Sequence, residues 1–486
     1  MIASRFLMEY EWYFIKTIFH FLVRLSMRSG LALSLMASCI TLGIQAGTAQ
    51  AASSVKFPDK ICDVTQYGAE GRRLQIALNT QAFQKAIDDC AAAGGGTVHV
   101  PRGNYLVDPL FLKSNIRLDL AKDATIVAST EEAAYRATEK TKYAEAENGW
   151  LPFISIADAQ NVAITGQGTI DGQGAVWWER WRENIRATGK KGGTDRPRLI
   201  YIKSSNNVLV DGVTLTHSPS FHVVMRYSHD VDVNGTRILS PWHAPNTDAI
   251  DPIDSQNIRI TNNYIDCNDD HIAIKAEKPD SRFPNGVVDN IYIANNILKQ
   301  GRGISIGSET SGGVNNVLVE NNQFEGSMYG IRIKTLRGKG GEVKNITYRN
   351  TKMVDVEIPL VFAAYYKAAP IVQAEVDKML AEGGFTMGEQ IYPPDTDPEQ
   401  PFDQYKTPHF SNVTIENLES TGKTKAAAYI IGVPEAPLSG FHFDNVRIDA
   451  DKGIRVRNAE LQTKGLTLNV KEGPVMQLDK GAKVDQ

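Results

Sequence analysis

The sequence predicts an all-β solenoid, in which short parallel strands stack in successive coils. Two observations predict this class: a repeated phrase along the chain, and period-two alternation within each phrase. The phrase consists of Asn or Asp followed by alternating apolar residues, and it recurs at intervals of 23 to 33 residues or about twice that. This is the length of one coil in a stacked repeat protein. The phrases begin at Asn161, Asn207, Asp230, Asn257, Asn290, Asn316, Asn345, Asn412 and Asn445.

Composition supports turns and strands over helices. Each repeated phrase contains four or five residues of period-two alternation, so one face of every strand points inward. The chain has 40 glycines and no segment with a long helical repeat. Its formal net charge is only −4, with no excess of basic residues. A nucleic-acid partner is therefore not expected.

Asparagine doublets follow several of the predicted strands in register. They occur at residues 262–263, 295–296 and 321–322. Asparagine favours turns, and identical amides on successive coils can hydrogen-bond to each other. We therefore interpret these doublets as structural and assign them no catalytic role.

Two segments depart from the repeat. Residues 80–93 have the pattern of an amphipathic helix, which we expect to cap the open N-terminal end of the solenoid, because an uncapped end would expose core and strand edges. Residues 364–410 form a large insertion with a possible helix over 370–380. Solenoid insertions fall on loops, often at the binding face. This one is expected either to wall off part of a cleft or to be a surface loop.

The first 51 residues have the pattern of a targeting segment. Arg28 precedes an apolar run over residues 31–44 and a small-x-small motif at 49–51, as in a secretory signal peptide. Met27 is the expected true start, which would make residues 1–26 a misassigned extension; an uncleaved membrane anchor is the alternative. We expect residues 52–486 to form one exported domain, secreted or periplasmic, without membrane contact after cleavage.

Three cysteines remain after that cleavage. Cys62 and Cys90 flank the predicted N-terminal helix, and an exported protein can keep a disulfide, so we expect these two to pair. Cys267 would then be a lone buried thiol. The chain has no Cys/His spacing of the type that binds a structural metal.

Aligning four consecutive coils brings a group of charged residues together. The first inward residues of these strands are Ile250, Ile272, Ile304 and Ile331. Two positions earlier stand Asp248, Asp270, Arg302 and Tyr329. With a rise of about 4.8 Å per coil, these four would form a column. Asp269 would lie beside this column, and Arg332 and Lys334 would project outward after the last of the four anchors.

A cluster of three carboxylates is costly for a purely structural protein, because like charges repel. Such a cluster is a candidate functional site. Carboxylates can bind a cation such as calcium, or they can divide into a protonated acid and an ionised base, as inverting glycosidases require. Arg332 and Lys334 favour the second use, because fixed cations suit a carboxylated sugar.

These residues resemble the polygalacturonase family of inverting glycoside hydrolases, which fold as right-handed parallel β-helices. The resemblance rests on Asn246-Thr247-Asp248, Asp269-Asp270 and Arg332-Ile333-Lys334 in the family's order and spacing. Flanking phrases agree, among them GTIDGQGAVWW at 168–178 and ISIGSETSGG at 304–313. It covers residues 60–365 and, more weakly, 409–460.

The resemblance implies a role for each residue. Asp269 would be the general acid, and Asp248 and Asp270 would activate water, across a gap of roughly 6.5–9.5 Å if the usual inverting geometry holds. Arg332 and Lys334 would bind a galacturonate carboxylate. Asn246 and His271 are further expected substrate contacts, His271 because its side chain is predicted to point outward beside Asp269.

The sequence departs from the family at one motif. The usual Gly-His-Gly is here Gly301-Arg302-Gly303. Arginine does not change its protonation state at working pH. We expect Arg302 either to keep the adjacent Asp270 ionised or to bind a second substrate carboxylate; weakened activity or a shifted substrate is the remaining possibility.

The resemblance also implies the partner. We expect a pectic polysaccharide or oligogalacturonide as substrate, no cofactor, no metal and a monomeric enzyme. Two alternatives stay open: a calcium-dependent pectate lyase and a non-catalytic polysaccharide-binding β-helix. The motifs do not distinguish exo from endo cleavage, or polygalacturonate from rhamnogalacturonan or xylogalacturonan, although Arg332 and Lys334 favour polygalacturonate.

Overall fold

The structure is a computed structural model that describes residues 55–71, 76–144, 149–188, 196–284, 286–368, 389–390 and 397–485. The predicted targeting segment, residues 1–51, lies outside these ranges, so it stays a prediction, as does the domain boundary after it. Within these ranges no helix is long and apolar enough to cross a membrane.

Helices are few among the described residues. Two α-helices, α1 (Ile76–Ala92) and α2 (Gly174–Thr188), accompany short 3-10 helices at Val64–Tyr67, Glu132–Tyr135 and Lys142–Ala144. The strands, in chain order, are β1 (Ile61–Asp63), β2 (Gly96–Val100), β3 (Gly103–Val107), β4 (Leu110–Leu112), β5 (Ile116–Leu120), β6 (Ala124–Ala128), β7 (Ile154–Ala157), β8 (Gln160–Gly166), β9 (Thr169–Asp171), β10 (Ile200–Lys203), β11 (Asn206–Asp211), β12 (Thr214–Thr216), β13 (Val223–Arg226), β14 (His229–Asn234), β15 (Arg237–Leu239), β16 (Ile250–Ile253), β17 (Gln256–Thr261), β18 (Tyr264–Asp266), β19 (Ile272–Ala276), β20 (Val288–Ala294), β21 (Ile297–Leu298), β22 (Ile304–Thr310), β23 (Val314–Glu320), β24 (Gln323–Glu325), β25 (Tyr329–Lys334), β26 (Glu342–Val354), β27 (Ile358–Ala363), β28 (Lys367–Ala368), β29 (Glu389–Gln390), β30 (His409–Thr421), β31 (Ala426–Ile431), β32 (Leu438–Arg457), β33 (Ala459–Lys464), β34 (Thr467–Leu478) and β35 (Ala482–Asp485).

The strands wind into a right-handed parallel β-helix, as predicted. Each strand pairs in parallel with the strand one coil earlier and one coil later, so three faces run along the solenoid. The face that carries the site contains β4, β7, β10, β13, β16, β19, β22, β25, β27 and β31 in spatial order. Among the strands of the described residues, β28 and β29 alone lie outside this sheet, and they pair antiparallel to each other.

The core is a continuous stack of inward-pointing aliphatic side chains. Ile250, Ile272, Ile304 and Ile331 are all fully buried, and each contributes roughly 1.5–3 kcal/mol by leaving water. Because every coil repeats the same inward positions, the core grows along the axis rather than in diameter. This is how the coils of the described residues can share one narrow core.

The Asn or Asp that opens each repeated phrase lies at a corner between two faces of the solenoid. All nine adopt the left-handed conformation, with φ between 52° and 58°. Asparagine and aspartate tolerate this region better than other non-glycine residues. The strands can therefore turn from one face to the next at the same point of every coil.

The second asparagine of each doublet forms an interior ladder. Asn263 Nδ2 donates to Asn296 Oδ1 at 3.0 Å, and Asn296 Nδ2 donates to Asn322 Oδ1 at 2.9 Å. All three side chains are buried, and their amides also donate to backbone carbonyls of the preceding coil. The prediction that these amides stack between coils is confirmed.

Helix α1 confirms the predicted N-terminal helix but begins four residues earlier, at Ile76, and ends at Ala92. Its buried side chains include Phe83, Ile87 and Cys90, which recur at helical spacing. The helix contacts β1 to β5. Its role as a cap for the open end remains a prediction.

The predicted disulfide is not formed in this structure. Cys62 and Cys90 are both buried free thiols that lie close enough to influence each other. Burial raises the pKa of Cys90 to about 12, so its thiol stays protonated. The two cysteines are neighbours, and pairing them would require oxidation; the disulfide therefore stays a prediction for the exported protein. Cys267 is a buried free thiol.

Helix α2 was not predicted from the sequence. It inserts between β9 and β10 and buries Trp177, Trp178, Trp181 and Ile185. These residues span three turns of one helical face, with spacings of one, three and four. The rings of Trp150 and Tyr135 pack edge-on against Trp177, so the tryptophans fix the helix to the solenoid, and none of them is a sugar platform.

Within the insertion the structure describes residues 364–368, 389–390 and 397–410. The helix predicted over residues 370–380 lies outside the described residues. At the base of the insertion, Asp397 accepts hydrogen bonds from Tyr365 Oη and from Arg337 Nη1, the latter at 2.7 Å. Arg337 also donates two hydrogen bonds to Glu435. These contacts fasten both ends of the insertion to the turn after β25.

Candidate active site

The coil alignment predicted from the sequence is confirmed. Ile250 pairs with Ile272, Ile272 with Ile304, and Ile304 with Ile331. The residues just before these anchors follow the same register, because Ala249 N–H donates to Asp270 O and His271 N–H donates to Gly303 O, both at 3.0 Å. The turns that carry the predicted site residues therefore lie on adjacent coils.

Three aspartates meet at the start of these strands. One carboxylate oxygen each of Asp248, Asp269 and Asp270 lies within 4.8 Å of the others. This is shorter than the separation expected for an inverting pair. The side chain of Asp269 is 14% exposed, whereas those of Asp248 and Asp270 are 5% and 2% exposed. Asp269 is thus the carboxylate that an external molecule reaches most easily.

Asp270 is held as a carboxylate by its neighbours. Its Oδ1 accepts hydrogen bonds from Arg332 Nη2 and from Ser305 Oγ, the latter at 3.0 Å, and its Oδ2 accepts from Lys334 Nζ at 2.7 Å. Burial alone would raise the pKa of Asp270, but Lys334 and Arg332 outweigh it and hold that pKa well below its ordinary value.

Asp248 has the opposite environment. Burial raises its pKa well above the ordinary value, and the charges of Asp269 and Asp251 raise it further. Lys275 opposes this effect, with Nζ 3.7 Å from Asp248 Oδ2. Asp248 Oδ1 is buried and has no hydrogen-bond partner among the described residues. The site therefore contains one carboxylate that favours ionisation and one that favours its proton, the division that acid–base catalysis requires.

The same cluster has the composition of a cation site, since calcium and magnesium prefer carboxylate oxygens. Asp270, however, already accepts three hydrogen bonds from Arg332, Ser305 and Lys334, out of about four that a carboxylate can accept. Two of those donors are cations. The donor set therefore favours acid–base chemistry at this cluster over coordination.

The comparisons with known proteins agree with this geometry. The family model described as "Glycosyl hydrolases family 28" matches residues 90–378, more than half of the chain. The chain belongs to glycosyl hydrolase family 28.

Relatives and solved structures of this family extend the agreement. An endo-polygalacturonase of Pectobacterium parmentieri is 35% identical over 301 residues, which cover 59% of this chain and 72% of that protein. A polygalacturonase of Ralstonia solanacearum is 30% identical over 353 residues, covering 62% and 64%. The structure of the Erwinia carotovora polygalacturonase is 27% identical and superposes with a TM-score of 0.63, covering 90% of this chain and all of that one. That of a Thermotoga maritima exopolygalacturonase, at 23% identity, has a TM-score of 0.67, covers 85% and 93%, and shows the shared fold.

In this family 28 glycoside hydrolase, Arg332 has a different contact from the predicted one. Its side chain is only 1% exposed. Besides Asp270, its Nε donates to Ser305 Oγ at 2.9 Å, and its guanidinium lies 4.2 Å from the Tyr329 ring centroid. Arg332 is thus enclosed beneath the cluster, where it holds Asp270. Lys334 shares that role but is 8% exposed, and its Nζ is 5.1 Å from the ring centroid of Tyr366.

Arg302 lies beside Asp269, with its Nε 3.9 Å from Asp269 Oδ1. Its N–H donates to the backbone oxygen of Asp269 at 2.9 Å, which brings the glycine-flanked turn over that residue. The cations that lower the pKa of Asp270 most are Lys334 and Arg332. The two roles expected for Arg302, at Asp270 or at a second substrate carboxylate, stay predictions.

His271 is wrong as a substrate contact. It is fully buried, and Gly303 N–H donates to its Nδ1 at 3.1 Å, while its Nε2 lies 3.2 Å from Lys299 O and 3.1 Å from Gln300 O. Burial lowers its pKa to about 4. A neutral imidazole thus supports the turn that carries Arg302. The outward direction predicted for it fails because strict alternation begins only at Ile272, where β19 starts.

Asn246 is exposed at the edge of the site, in the left-handed conformation with φ of 53°. Its Oδ1 accepts a hydrogen bond from Arg196 Nη2 at 2.8 Å. Arg196 Nη1 also donates to Pro219 O and Pro245 O, at 3.0 and 2.6 Å. Arg196 therefore ties together two successive turns, including the one that leads into Asp248. A substrate contact of Asn246 remains a prediction.

Sequence reasoning missed Asp251, Lys275, Ser305 and Arg196. The first three occupy the first or third position after the inward anchors, the same outward columns in which Arg332 and Lys334 were found. Extending those columns to all four coils would have found them. Arg196 gave no such signal, because it precedes the strand and its partners are backbone oxygens of other turns.

Proposed function

We propose that this enzyme hydrolyses the α-1,4-galacturonosidic bonds of polygalacturonate with inversion at the anomeric carbon. The observation that carries the proposal is the unequal environment of the clustered carboxylates. Cations hold Asp270 ionised, while burial favours the proton on Asp248. The printed names of the relatives, endo-polygalacturonase and polygalacturonase, supply the substrate class.

The proton balance assigns the roles. In the free enzyme the resident proton lies on Asp248. When substrate binds, Asp248 transfers that proton to Asp269, whose greater exposure suits contact with the glycosidic oxygen. Asp269 protonates the leaving group, and Asp248 accepts a proton from the attacking water. Both aspartates then have their starting charge, so no external acid or base is needed to complete the cycle.

Asp270 orients the water rather than reacting covalently. A retaining mechanism needs a carboxylate nucleophile. Asp270 is a poor nucleophile, because both of its oxygens accept charge-assisted hydrogen bonds, and Asp248 begins the cycle protonated. The short separation of the three oxygens would by itself fit a retaining pair. We favour inversion because both oxygens of Asp270 already accept hydrogen bonds from cations, which leaves neither free to attack the sugar.

The substrate's carboxylate is bound by the partly accessible cations of the site. Arg302 and Lys334 both retain some exposure, at 9% and 8% of their side chains, and Arg302 adjoins the proposed acid. Their charges favour a uronate over a neutral sugar. Methyl-esterified pectin, which lacks the anionic group, is then a poorer substrate than polygalacturonate.

A digest of polygalacturonate tests the proposal. Wild-type enzyme is expected to release new reducing ends, with no ultraviolet absorbance from an unsaturated product and no effect of a chelator. Asp269→Asn should lower kcat by about 10²–10⁴-fold, the range of a lost general acid, with an unchanged unfolding temperature. Asp266→Asn, which changes an aspartate in the preceding strand β18, is the matched control. Chelator-sensitive formation of unsaturated product would instead identify a lyase, and binding without turnover a non-catalytic protein.

We further propose that the chain is exported and functions as a monomer. The predicted signal segment and a polymeric substrate that enters no cell support this. N-terminal sequencing of the mature protein should give a start near Ala52, and light scattering should give the mass of one chain. A mature chain that retains the apolar run over residues 31–44 would identify an anchor instead.

A further inference from the structure

Lys275 is a cation of the site to which the mechanism above gives no role. Its Nζ lies 3.7 Å from Asp248 Oδ2 and 3.6 Å from Asp251 Oδ2, and its side chain is 15% exposed. The register of β16 and β19 pairs Ile253 with Lys275, which brings the ammonium beside the strand that follows Asp248. Lys275 thus contacts the proposed base directly and a second carboxylate at the same time.

Asp251 is that second carboxylate, and the fold alone does not require it. It is fully buried, and neither of its oxygens has a hydrogen-bond partner among the described residues. Val224 occupies the equivalent position in the preceding strand, so an apolar side chain fits this column. A buried carboxylate costs solvation energy unless a cation compensates it. Its retention next to Lys275 therefore points to a function for the pair.

We infer that Lys275 and Asp251 form a buried charge pair that sets how readily Asp248 releases its proton. Both are positioning residues, since they act through Asp248 and not on the sugar. This inference rests on the proposed function, in which Asp248 must cycle between acid and base. Lys275 stabilises the ionised Asp248. The ionised form of Asp251, a carboxyl group whose pKa burial raises to about 6, opposes it, both by repulsion and by sharing the ammonium.

The other groups that face Asp248 are fixed by the same turns. Asp269, Asp270 and Cys267 approach from the turn before β19, and the charge of Arg196 from the segment before β10. His222, at the start of β13, is buried and neutral, and its Nδ1 lies 3.1 Å from the backbone oxygen of Asp248. None of these groups bridges two carboxylates as Lys275 does. The charge of Lys275 also acts more weakly on Asp270 and acts on Glu309, and its Nζ lies 5.1 Å from the ring centroid of Phe221.

The pair makes two opposite changes possible. Lys275→Met removes the only ammonium within ion-pair distance of Asp248 among the described residues. It should move the bell-shaped profile of kcat/KM to higher pH, by about one unit. Asp251→Asn removes a repulsive charge and leaves Lys275 to Asp248 alone, and it should move the same profile to lower pH. The loss in both variants should fall mainly on kcat, because neither residue touches the substrate.

Two further variants keep the comparison interpretable. Lys278→Met removes an exposed lysine three residues further along the chain and should leave the profile unchanged. The double variant Asp251→Asn, Lys275→Met removes both charges, so it folds even if the unpaired Asp251 prevents the single lysine variant from folding. Its profile should lie between those of the two single variants.

The inference is overturned if the single variants shift the profile in the same direction, or if neither shifts it while wild-type activity is normal. If Lys275→Met does not fold, the double variant is compared with Asp251→Asn. The inference is then overturned if the kcat/KM profile of the double variant is not at higher pH than that of Asp251→Asn. A purely structural role would lower the amount of active enzyme and leave the pH profile in place. Failure of the proposed function is separate from all of these outcomes, because wild-type enzyme would then release no reducing ends from polygalacturonate.

Discussion

At the scale of single residues, opposite environments separate two aspartates of the same column. Asp270 faces two cations and a hydroxyl group, whereas Asp248 has an oxygen without a hydrogen-bond partner and two acidic neighbours. Adjacent coils of the solenoid thus supply an ionised carboxylate and a proton-holding one within a few ångströms. Enzymes commonly give neighbouring titratable groups different pKa values in this way, so that one serves as acid and the other as base.

Arg332 should be needed for stability as well as for activity. Arg332→Gln removes one of the two cations that donate hydrogen bonds to the buried Asp270 and should cost about 3 kcal/mol of unfolding free energy. The pKa of Asp270 is depressed in the folded state, so the stabilisation is present above its unfolded value of about 3.9 and is lost as pH falls below that. Urea titrations at pH 7 and pH 3.5 should show the difference between wild type and variant shrinking at the lower pH.

A double variant provides the control. Arg332→Gln combined with Asp270→Asn removes the unpaired charge and should recover part of the lost stability, although activity stays low. If the double variant is less stable than the wild type by the sum of the losses in the two single variants, Arg332→Gln and Asp270→Asn, the two residues are not coupled as described.

His271 should contribute to acid sensitivity. Burial lowers its pKa to about 4, below the unfolded value of about 6.5. Its neutral form therefore supports the fold above pH 6.5, and this support, on the order of 3 kcal/mol, is lost as pH falls from 6.5 through 4. His271→Gln removes the titration, so its unfolding free energy should fall less steeply than that of wild type over that range. Equal slopes would show that the imidazole is not buried in its neutral form.

At the scale of elements, the strand register was predictable and several side-chain directions were not. The nine repeated phrases fixed the register because each begins with Asn or Asp, residues that readily take the positive φ found there. His271 was misjudged because it stands before the first paired residue of its strand, where alternation does not yet apply. Helix α2 was not predicted, although Trp177, Trp178 and Trp181 share one buried helical face.

The partners of long charged side chains were the least predictable feature. The position of Arg332 on its strand was predicted correctly. Its partner, however, depends on which acidic side chain lies within reach across three coils. From the sequence, the partner of Arg332 could equally be the substrate or Asp270. In the folded chain the Arg332 guanidinium is enclosed beneath the cluster. The position of Arg302 likewise depends on the folded turn, which lies over Asp269.

The interior asparagine ladder should be a main source of order between coils. Asn296 is buried and bonded to the coils on both sides, so Asn296→Ala leaves unsatisfied groups on Asn263 and Asn322 and should cost about 1–3 kcal/mol. Asn315→Ala is the matched control, since that half-buried asparagine lies in an outer ladder that water can reach. Chemical denaturation should show a clearly smaller loss for the control, and equal losses would contradict the proposed importance of the interior ladder.

At the scale of the whole molecule, the solenoid places the site on one long face. The coils carrying Asp248, Asp270, Arg302 and Arg332 are consecutive, with further coils before and after them on the same face. Such a face suits a linear polymer, because successive sugar units can lie across successive coils. The insertion after β27 is fastened by Arg337 and Asp397 next to the strand that carries Lys334, at the C-terminal side of the site.

The anomeric configuration of the first product tests the central claim most directly. Proton nuclear magnetic resonance, recorded during the first minutes of polygalacturonate digestion, reports the new reducing end before it equilibrates. A water-activated displacement with Asp269 as acid predicts the β-anomer first, followed by slow mutarotation. The α-anomer as first product would contradict the claim by indicating a covalent intermediate, and an unsaturated sugar would contradict it by indicating elimination.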